Sequence, residues 1–295
     1  MTVADPGGRT GRAALRVPLA ASRICWYLLC AVLAVSMLLP LVWTLTIALK
    51  SNADVNRLPP QFLPSQFHWS NFLTGPRMID FYRLLLNTVI ITVIVTVGSV
   101  VSSMLVGYGL SRIRFRGQKL WFYLFTASIF VPAMVGLIPM QHFWINLGLI
   151  DTWFPLVVPA FLANPVLVFL ARQYFMSIPF SLDEAARLDG AGHLRILWSI
   201  MVPLTRPVWI TMAILSFQLA WNDYLNPLVY LQSPSKFTLS LGMAAFVSDS
   251  AGGSSSQYNL LMATNLLYML PPLLLFFFAQ RYFMEGIGAV GVSSK

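Results

Sequence analysis

Charge is the scarcest property of this chain. Only 10% of its 295 residues are Asp, Glu, Lys or Arg, while 57% are hydrophobic. An average soluble domain is about 25% charged. A chain so composed has too little polar surface to cover itself, and bilayer lipid is the solvent that suits it. Motifs for catalysis are missing as well. There is no G-x-x-x-x-G-K-[ST], no H-E-x-x-H, no C-x-x-C and no G-x-S-x-G. His68, His142 and His193 fall in separate segments and form no common site. Cys25 and Cys30 are the only cysteines. Their spacing puts them on different faces of a helix, so they read as small apolar packing residues rather than a disulfide or a metal site.

Ionisable residues inside the apolar runs are almost absent too. The exception is Asp223. At 1.5 Å per residue it sits about 24 Å along its segment, near the far interface rather than the midplane. A proton- or sodium-driven carrier needs a relay of buried carboxylates, and its inverted repeats are not visible here. The energy source of a transporter built on this chain therefore lies elsewhere.

What is present is a set of six apolar segments, at 24–49, 84–110, 120–145, 153–169, 207–231 and 260–279. Each approaches or exceeds the roughly 20 residues that cross a hydrocarbon core. The first is too long for a signal-peptide core and is read as a retained helix. The net charge of +9 is explained by topology. With the N-terminus in the cytoplasm, 14 of the 19 Lys and Arg lie on the cytoplasmic side, among them Arg9, Arg12, Arg16 and Arg23, then Arg112, Arg114, Arg116 and Lys119. That is the positive-inside pattern, and it predicts both termini in the cytoplasm. No soluble basic face is left over for nucleic acid.

The expected organisation is a cytoplasmic tail over 1–23, a six-helix membrane domain over 24–281 and a cytoplasmic tail over 282–295. The external loop 50–83 is rich in proline and aromatics. The stretch 248–256 has the composition of a flexible linker. Prolines stud the spans, each read as a tolerated kink rather than a hinge. In the second span Gly98 with Ser102, and Ser103 with Gly107, make two small-xxx-small pairs that predict a close helix contact.

The cytoplasmic loop 170–206 is the densest in signals. Ser181-Leu182-Asp183-Glu184 has the form of a capping box, with Ser181 as N-cap. A short helix is expected to follow and to stop at Gly190 and Gly192. A second helix is expected over 193–201, ending at Pro203. Glu184 reads either as a cap or as one half of an ion pair across a subunit interface.

Glu184-Ala185-Ala186, then Gly190 after three residues, then Ile200-Met201-Val202-Pro203 after nine more, resemble the EAA loop of ABC-importer permeases. Only Val202, where that pattern prefers leucine, departs from it. Further stretches extend the resemblance over about residues 24–288 to the carbohydrate-uptake permeases of the maltose-system type. These are Leu86-Asn87-Thr88, Gly107-Tyr108-Gly109-Leu110-Ser111-Arg112, Leu147 to Thr152 and Trp221 to Leu228. The end, Gly286 to Lys295, departs from the glycine-rich tail of that family.

The resemblance implies an all-α membrane protein with the type I importer permease fold in a bacterial inner membrane. It implies that the chain is not an enzyme and holds no cofactor, with ATP and Mg bound by two partner ATPase subunits. It also implies a homologous second permease and an extracytoplasmic sugar-binding protein. Glu184, Ala185, Ala186, Asp189, Gly190, Ile200 and Pro203 would then couple to the ATPase. Trp221, Asn222, Asp223 and Tyr224 read either as an interfacial belt or as the lining of the sugar pathway. Import of a non-sugar such as glycerol phosphate is the alternative within this class. An ion-gradient carrier is the alternative outside it.

Overall fold

A computed structural model describes residues 19–251 and 257–291, with side chains over 23–248 and 257–280. Arg9, Arg12, Arg16, most of the linker stretch and the last four residues lie outside the described residues. Every regular element among the described residues is helical. Long apolar runs with all backbone groups paired internally leave no other choice for crossing lipid.

The main elements are α1 (Leu19–Ala48), α2 (Asn71–Met78), α3 (Phe81–Arg112), α4 (Gln118–Ser128), α5 (Ala133–Asn146) and α6 (Pro165–Ser177). A single turn, Phe154–Val157, and a 3-10 turn, Val158–Leu162, lead into α6. Then come α7 (Ser181–Leu188), α8 (His193–Leu204), α9 (Arg206–Trp221), α10 (Leu225–Tyr230), α11 (Leu239–Ala251) and α12 (Tyr258–Gly291).

Among the described residues, four helical segments are long and apolar enough to cross a membrane: Arg23–Ala48, Phe81–Arg112, Phe154–Ser177 and Tyr258–Gln280. Two more pass only as bent pairs, α4 with α5 at 97° and α8 with α9 at 86°. The expected third segment is thus broken at 129–132, where Pro132 takes the extended conformation (φ −60°, ψ 126°) and starts a new helix. The expected fifth segment, 207–231, is also interrupted. α9 stops at Trp221 and the chain turns through 222–224 before α10 begins. The stretch read as linker differs as well, because α11 runs through Ser248 to Ala251. At the other end α12 continues to Gly291, past the boundary expected at 281.

α3 is the mast of the fold. Its small-residue face carries α6 and the turns before it. A Cβ at Gly107 would lie 2.8 Å from the Ala171 Cβ and 3.2 Å from the Arg172 amide nitrogen. Ser102 donates to the Ala160 carbonyl at 3.0 Å, and Ser103 accepts from the Asn164 amide at 3.0 Å. The expected close contact is therefore made. One buried core joins Met104, Tyr108, Phe175, Ile196, Met201 and Met212, and so draws α3, α6, α8 and α9 together. Much of the rest is exposed and apolar. Trp26 is 64% exposed, Met37 78% and Phe130 83%. In water such a surface is untenable; against lipid tails it needs no cover.

Candidate functional site

The knob expected between the fourth and fifth spans forms at one end of the molecule. α7 begins at Ser181, but not with the capping box. Phe180 is the N-cap and has helical backbone angles, so its carbonyl already accepts from the Asp183 amide at 3.0 Å and the Glu184 amide at 3.2 Å. Ser181 is the first helical residue and caps nothing. Glu184 is exposed, and its carboxylate makes no hydrogen bond or ion pair among the described residues. The capping role is overturned because the chain enters α7 already helical, straight from the Pro179 turn.

The stop of α7 follows the sequence closely. Asp189 is the C-cap, and Gly190 adopts φ +79°. The Gly190 amide donates to the Arg187 carbonyl at 3.0 Å and the Ala191 amide to the Ala186 carbonyl at 2.9 Å. Those two bonds are a Schellman stop, which glycine permits at no steric cost. Gly192, with φ −74°, instead precedes α8 as its N-cap.

The two faces of the knob differ sharply. Ala186 is buried on the core with Ile196, Leu197 and Met201. Glu184, Ala185 and Asp189 are exposed, and Leu188 is 90% exposed. Ile200 packs against the core, while Pro203 is exposed in the last turn of α8. Midway, α8 loosens into a π-turn over Leu197–Met201 before the bend at Thr205. Thr205 is buried and gives its hydroxyl to the Met201 carbonyl at 2.8 Å.

The sequence reading missed the partner of this knob inside its own chain. Asp183, one residue before Glu184, is buried and forms an ion pair with Arg112 at 2.9 Å. In the sequence Arg112 reads as a topology signal and as the end of a stretch shared with the permease family, with no partner assigned. Its Nη2 also donates to the carbonyls of Phe175 and, at 2.7 Å, Ile178. The Phe180 ring lies over the guanidinium, 4.4 Å from its centre. Nothing in a linear sequence marks a pairing across 71 residues, beyond an acid next to the motif and an arginine closing a span.

At the opposite end lies the break at Trp221 to Tyr224. Trp221 is 1% exposed and stacks between Phe217 (centroids 5.3 Å) and Tyr268 (5.8 Å). Its ring is therefore packed among aromatic neighbours inside the described residues. Asp223 accepts from the Asn226 amide at 3.2 Å and side chain at 2.9 Å, which holds the first turn of α10. Asn222 is exposed, and Tyr224 is 38% exposed. Asn222, Asp223, Tyr224 and Asn226 line an open cavity of about 270 Å³ together with Ala133 and Met134 at the start of α5. The two chain breaks, at 129–132 and 222–224, thus border one cavity.

The same end is tied by a second cluster. Asp151, at φ 56°, accepts from the amides of Gln232 (3.0 Å) and Ser233 (2.9 Å), from the Ser233 hydroxyl and from Lys236 at 2.9 Å. The Ser233 hydroxyl, its amide, the Gln232 amide and Lys236, in that order, hold the carboxyl well below the usual carboxylate range. Asn87 donates to the carbonyls of Ser235 and Phe237, and Thr88 accepts from the Leu239 amide at 2.7 Å. Among the described residues no group of His, Cys, Asp and Glu could hold a metal ion.

Residues 98–288 match the family of binding-protein-dependent transport system inner membrane components. The chain belongs to this family. It is a transport permease of ABC importers, not an enzyme. A crystal structure of a bacterial ABC transporter involved in the import of the acidic polysaccharide alginate contains a chain of the same fold. It superposes with a TM-score of 0.79 at 27% identity, over 90% of this permease and 97% of that chain. The sn-glycerol-3-phosphate transport system permease protein UgpE of Yersinia enterocolitica is 30% identical over 257 residues, 85% of this permease and 90% of the relative. The maltodextrin transport system permease protein MdxG of Bacillus subtilis is 32% identical over 77% of this permease and 82% of the relative. The arabinooligosaccharides transport system permease protein AraQ of Halalkalibacterium halodurans is 32% identical over 70% and 72%.

Proposed function

We propose that this permease is one of two homologous membrane subunits of an ATP-driven importer of sugars or oligosaccharides. In this reading it crosses a bacterial cytoplasmic membrane six times, each bent helix pair counting as one span, with both termini in the cytoplasm. The second permease, two ATPase subunits that bind ATP and Mg, and an extracytoplasmic binding protein complete the system. The α7–α8 knob docks into a cleft of one ATPase subunit. Glu184 supplies an acidic contact there, Ala185 lets the helix seat closely, and Asp189, Gly190, Ile200 and Pro203 fix its shape. ATPase closure moves the knob and rocks the helices between inward- and outward-facing states.

The observation that carries this reading is the exposed face of α7. A carboxylate without a partner, a small residue and a 90% exposed leucine stand on a tightly stopped helix. Such a face is built to be covered. At the other end, Asn222, Asp223 and Tyr224 offer amide, carboxylate and aromatic contacts to sugar hydroxyls from the cavity they line.

The similarity to a glycerol-3-phosphate permease supports a second reading, in which the cargo carries a phosphate. The described lining of the Asp223 cavity disfavours it. That lining holds a carboxylate and no Lys or Arg, so a phosphate dianion would meet repulsion.

The deciding experiment is expression with the neighbouring transport genes, gentle solubilisation and an ATPase assay with binding protein and candidate solutes. Two permeases and two ATPases should co-purify, and one sugar-loaded binding protein should stimulate hydrolysis. Stimulation by glycerol 3-phosphate alone would replace the sugar reading. If Glu184→Lys left assembly and uptake intact, the assignment of the knob would fail.

A further inference from the structure

The two ends of the knob are attached differently. Its leading end is held by Arg112, which closes α3. The guanidinium reaches the last carbonyls of α6 through Phe175 and Ile178, the first turn of α7 through Asp183, and the ring of Phe180 between them. Three helix ends meet on one side chain, and its ion pair with Asp183 is excluded from solvent: the two side chains are 0% and 3% exposed. The trailing end is irregular in its backbone, although Ile196, Leu197 and Met201 are buried in the core shared with α3, α6 and α9. It passes through the π-turn at Leu197–Met201 and then bends 86° at Thr205 into α9. A π-turn within an α-helix interrupts the regular hydrogen-bond ladder, and such turns are frequent at functional sites.

The ion pair is a poor way to hold these helices if stability were its only purpose. Only one guanidinium nitrogen meets one carboxylate oxygen. Arg112 Nε, Asp183 Oδ1 and the nearby Tyr108 hydroxyl are buried with no hydrogen-bond partner among the described residues. A buried, incompletely satisfied pair is commonly no more stable than apolar side chains of the same size. What a charge pair does and a leucine pair does not is fix direction: the carboxylate ties the start of α7 to one point on α3.

We propose that Arg112 and Asp183 form a clasp that makes the knob, α3 and α6 move as one rigid body, while the π-turn and the Thr205 bend absorb the rotation relative to α9. This rests on the coupling reading of the knob. Arg112 and Asp183 are positioning residues in it: Glu184 and Leu188 face the ATPase, and the clasp passes their displacement into α3. Motion enters the membrane through α3, along the small-residue contact with α6, and not through the helix that follows the knob in sequence.

The test is a pair of spin-label distances in the assembled complex, after Cys25 and Cys30 are replaced by serine. One pair joins Leu188→Cys to Leu86→Cys on α3, the other Leu188→Cys to Leu219→Cys on α9; all three positions are more than half exposed. On ATP trapping the 188–86 distance stays fixed and the 188–219 distance shifts. With Asp183→Asn the 188–86 distribution broadens, and the ATP hydrolysed per substrate imported rises at least tenfold. Arg112→Lys keeps the charge, and its smaller head cannot hold the carboxylate and both carbonyls together. It gives an intermediate ratio and serves as the second variant if Asp183→Asn does not assemble. A 188–86 distance that shifts with ATP as much as 188–219 overturns the proposal. So does a wild-type coupling ratio in either variant. If the unsubstituted chain recruits no ATPase, the coupling reading itself has failed, a result distinct from both.

Discussion

Replacing Gly107 by alanine tests the contact on which the fold is hung. In an ordinary helix this change stabilises by about 1 kcal/mol through backbone propensity alone. Here the new Cβ falls 2.8 Å from the Ala171 Cβ, 3.2 Å from the Arg172 amide nitrogen and 3.3 Å from the Val168 carbonyl oxygen. Carbon atoms in good contact lie about 3.5–4.0 Å apart. The neighbours are a Cβ and two backbone atoms, so no side chain can rotate away, and α3 and α6 must part. Overpacking of this kind costs about 1–3 kcal/mol. Gly109, two residues on, has nothing within 4 Å of its ideal Cβ and supplies the internal control. Gly109→Ala should therefore be neutral or stabilising, and Gly107→Ala should lie about 1–3 kcal/mol below it. At the roughly 2 °C per kcal/mol expected of a chain this long, the two midpoints differ by about 2–6 °C. The assay is thermal unfolding of the purified protein in one detergent at one scan rate, since unfolding of such proteins is seldom reversible. Ala171→Gly costs about 1 kcal/mol by itself as a mid-helix glycine, but it removes the nearest atom, so added to Gly107→Ala it should cost clearly less than the sum of the two single changes. Equal midpoints for the two alanine variants, or strict additivity in the double variant, would refute the close approach.

Two further outcomes follow from the far end. Trp221→Ala empties a slot between Phe217 and Tyr268, so it should cost about 3–5 kcal/mol of stability, seen as a lowered midpoint for any substrate. Tyr224→Ala, on an exposed residue, should keep the midpoint and change the KM for uptake; a selective KM effect at Trp221 with an unchanged midpoint would reverse the assignment. The Asp151 carboxyl is held low, so the stability it contributes is fully present above the unfolded value near 3.9 and is lost only as pH falls through its own lower value. The Gln232 and Ser233 amides should stay protected from hydrogen exchange from pH 8 to about pH 4, after correction for intrinsic rates. Asp151→Gly, which adopts the same positive φ and removes the acceptor of both amides, should lose that protection at every pH in the range.

The unbroken spans were legible because hydropathy needs no partner. α1 and α3 read directly from runs of Leu, Val and Ile. The breaks were less visible. Pro132 and the 222–224 turn lie inside stretches that stay apolar on both sides, so hydropathy runs through the breaks without marking them. The knob was well marked at Gly190, because a Schellman stop is a local event of six residues. At Ser181 it was misread, because a capping box presumes an extended chain entering the helix, and Phe180 is already helical. The Arg112–Asp183 clasp was out of reach, since each residue alone had a sufficient local explanation. α11 hid behind the Ser and Gly that follow it.

The outer end of α1 has a consequence for how the protein is made. Apart from its last turns this helix stands bare, and its main packing partner is α12. The Ala48 and Lys50 carbonyls accept from Asn71, and Lys50 accepts again from Asn259, 209 residues later. α1 is therefore fastened in part by residues made long after it. Until translation has passed Asn259 it lacks its partner in α12 and is held by lipid and by the loop that follows it, through Asn71, the His68 amide on the Leu49 carbonyl and the Phe62 ring on Trp43, and a chain cut short of α12 would leave it exposed for membrane quality control to find.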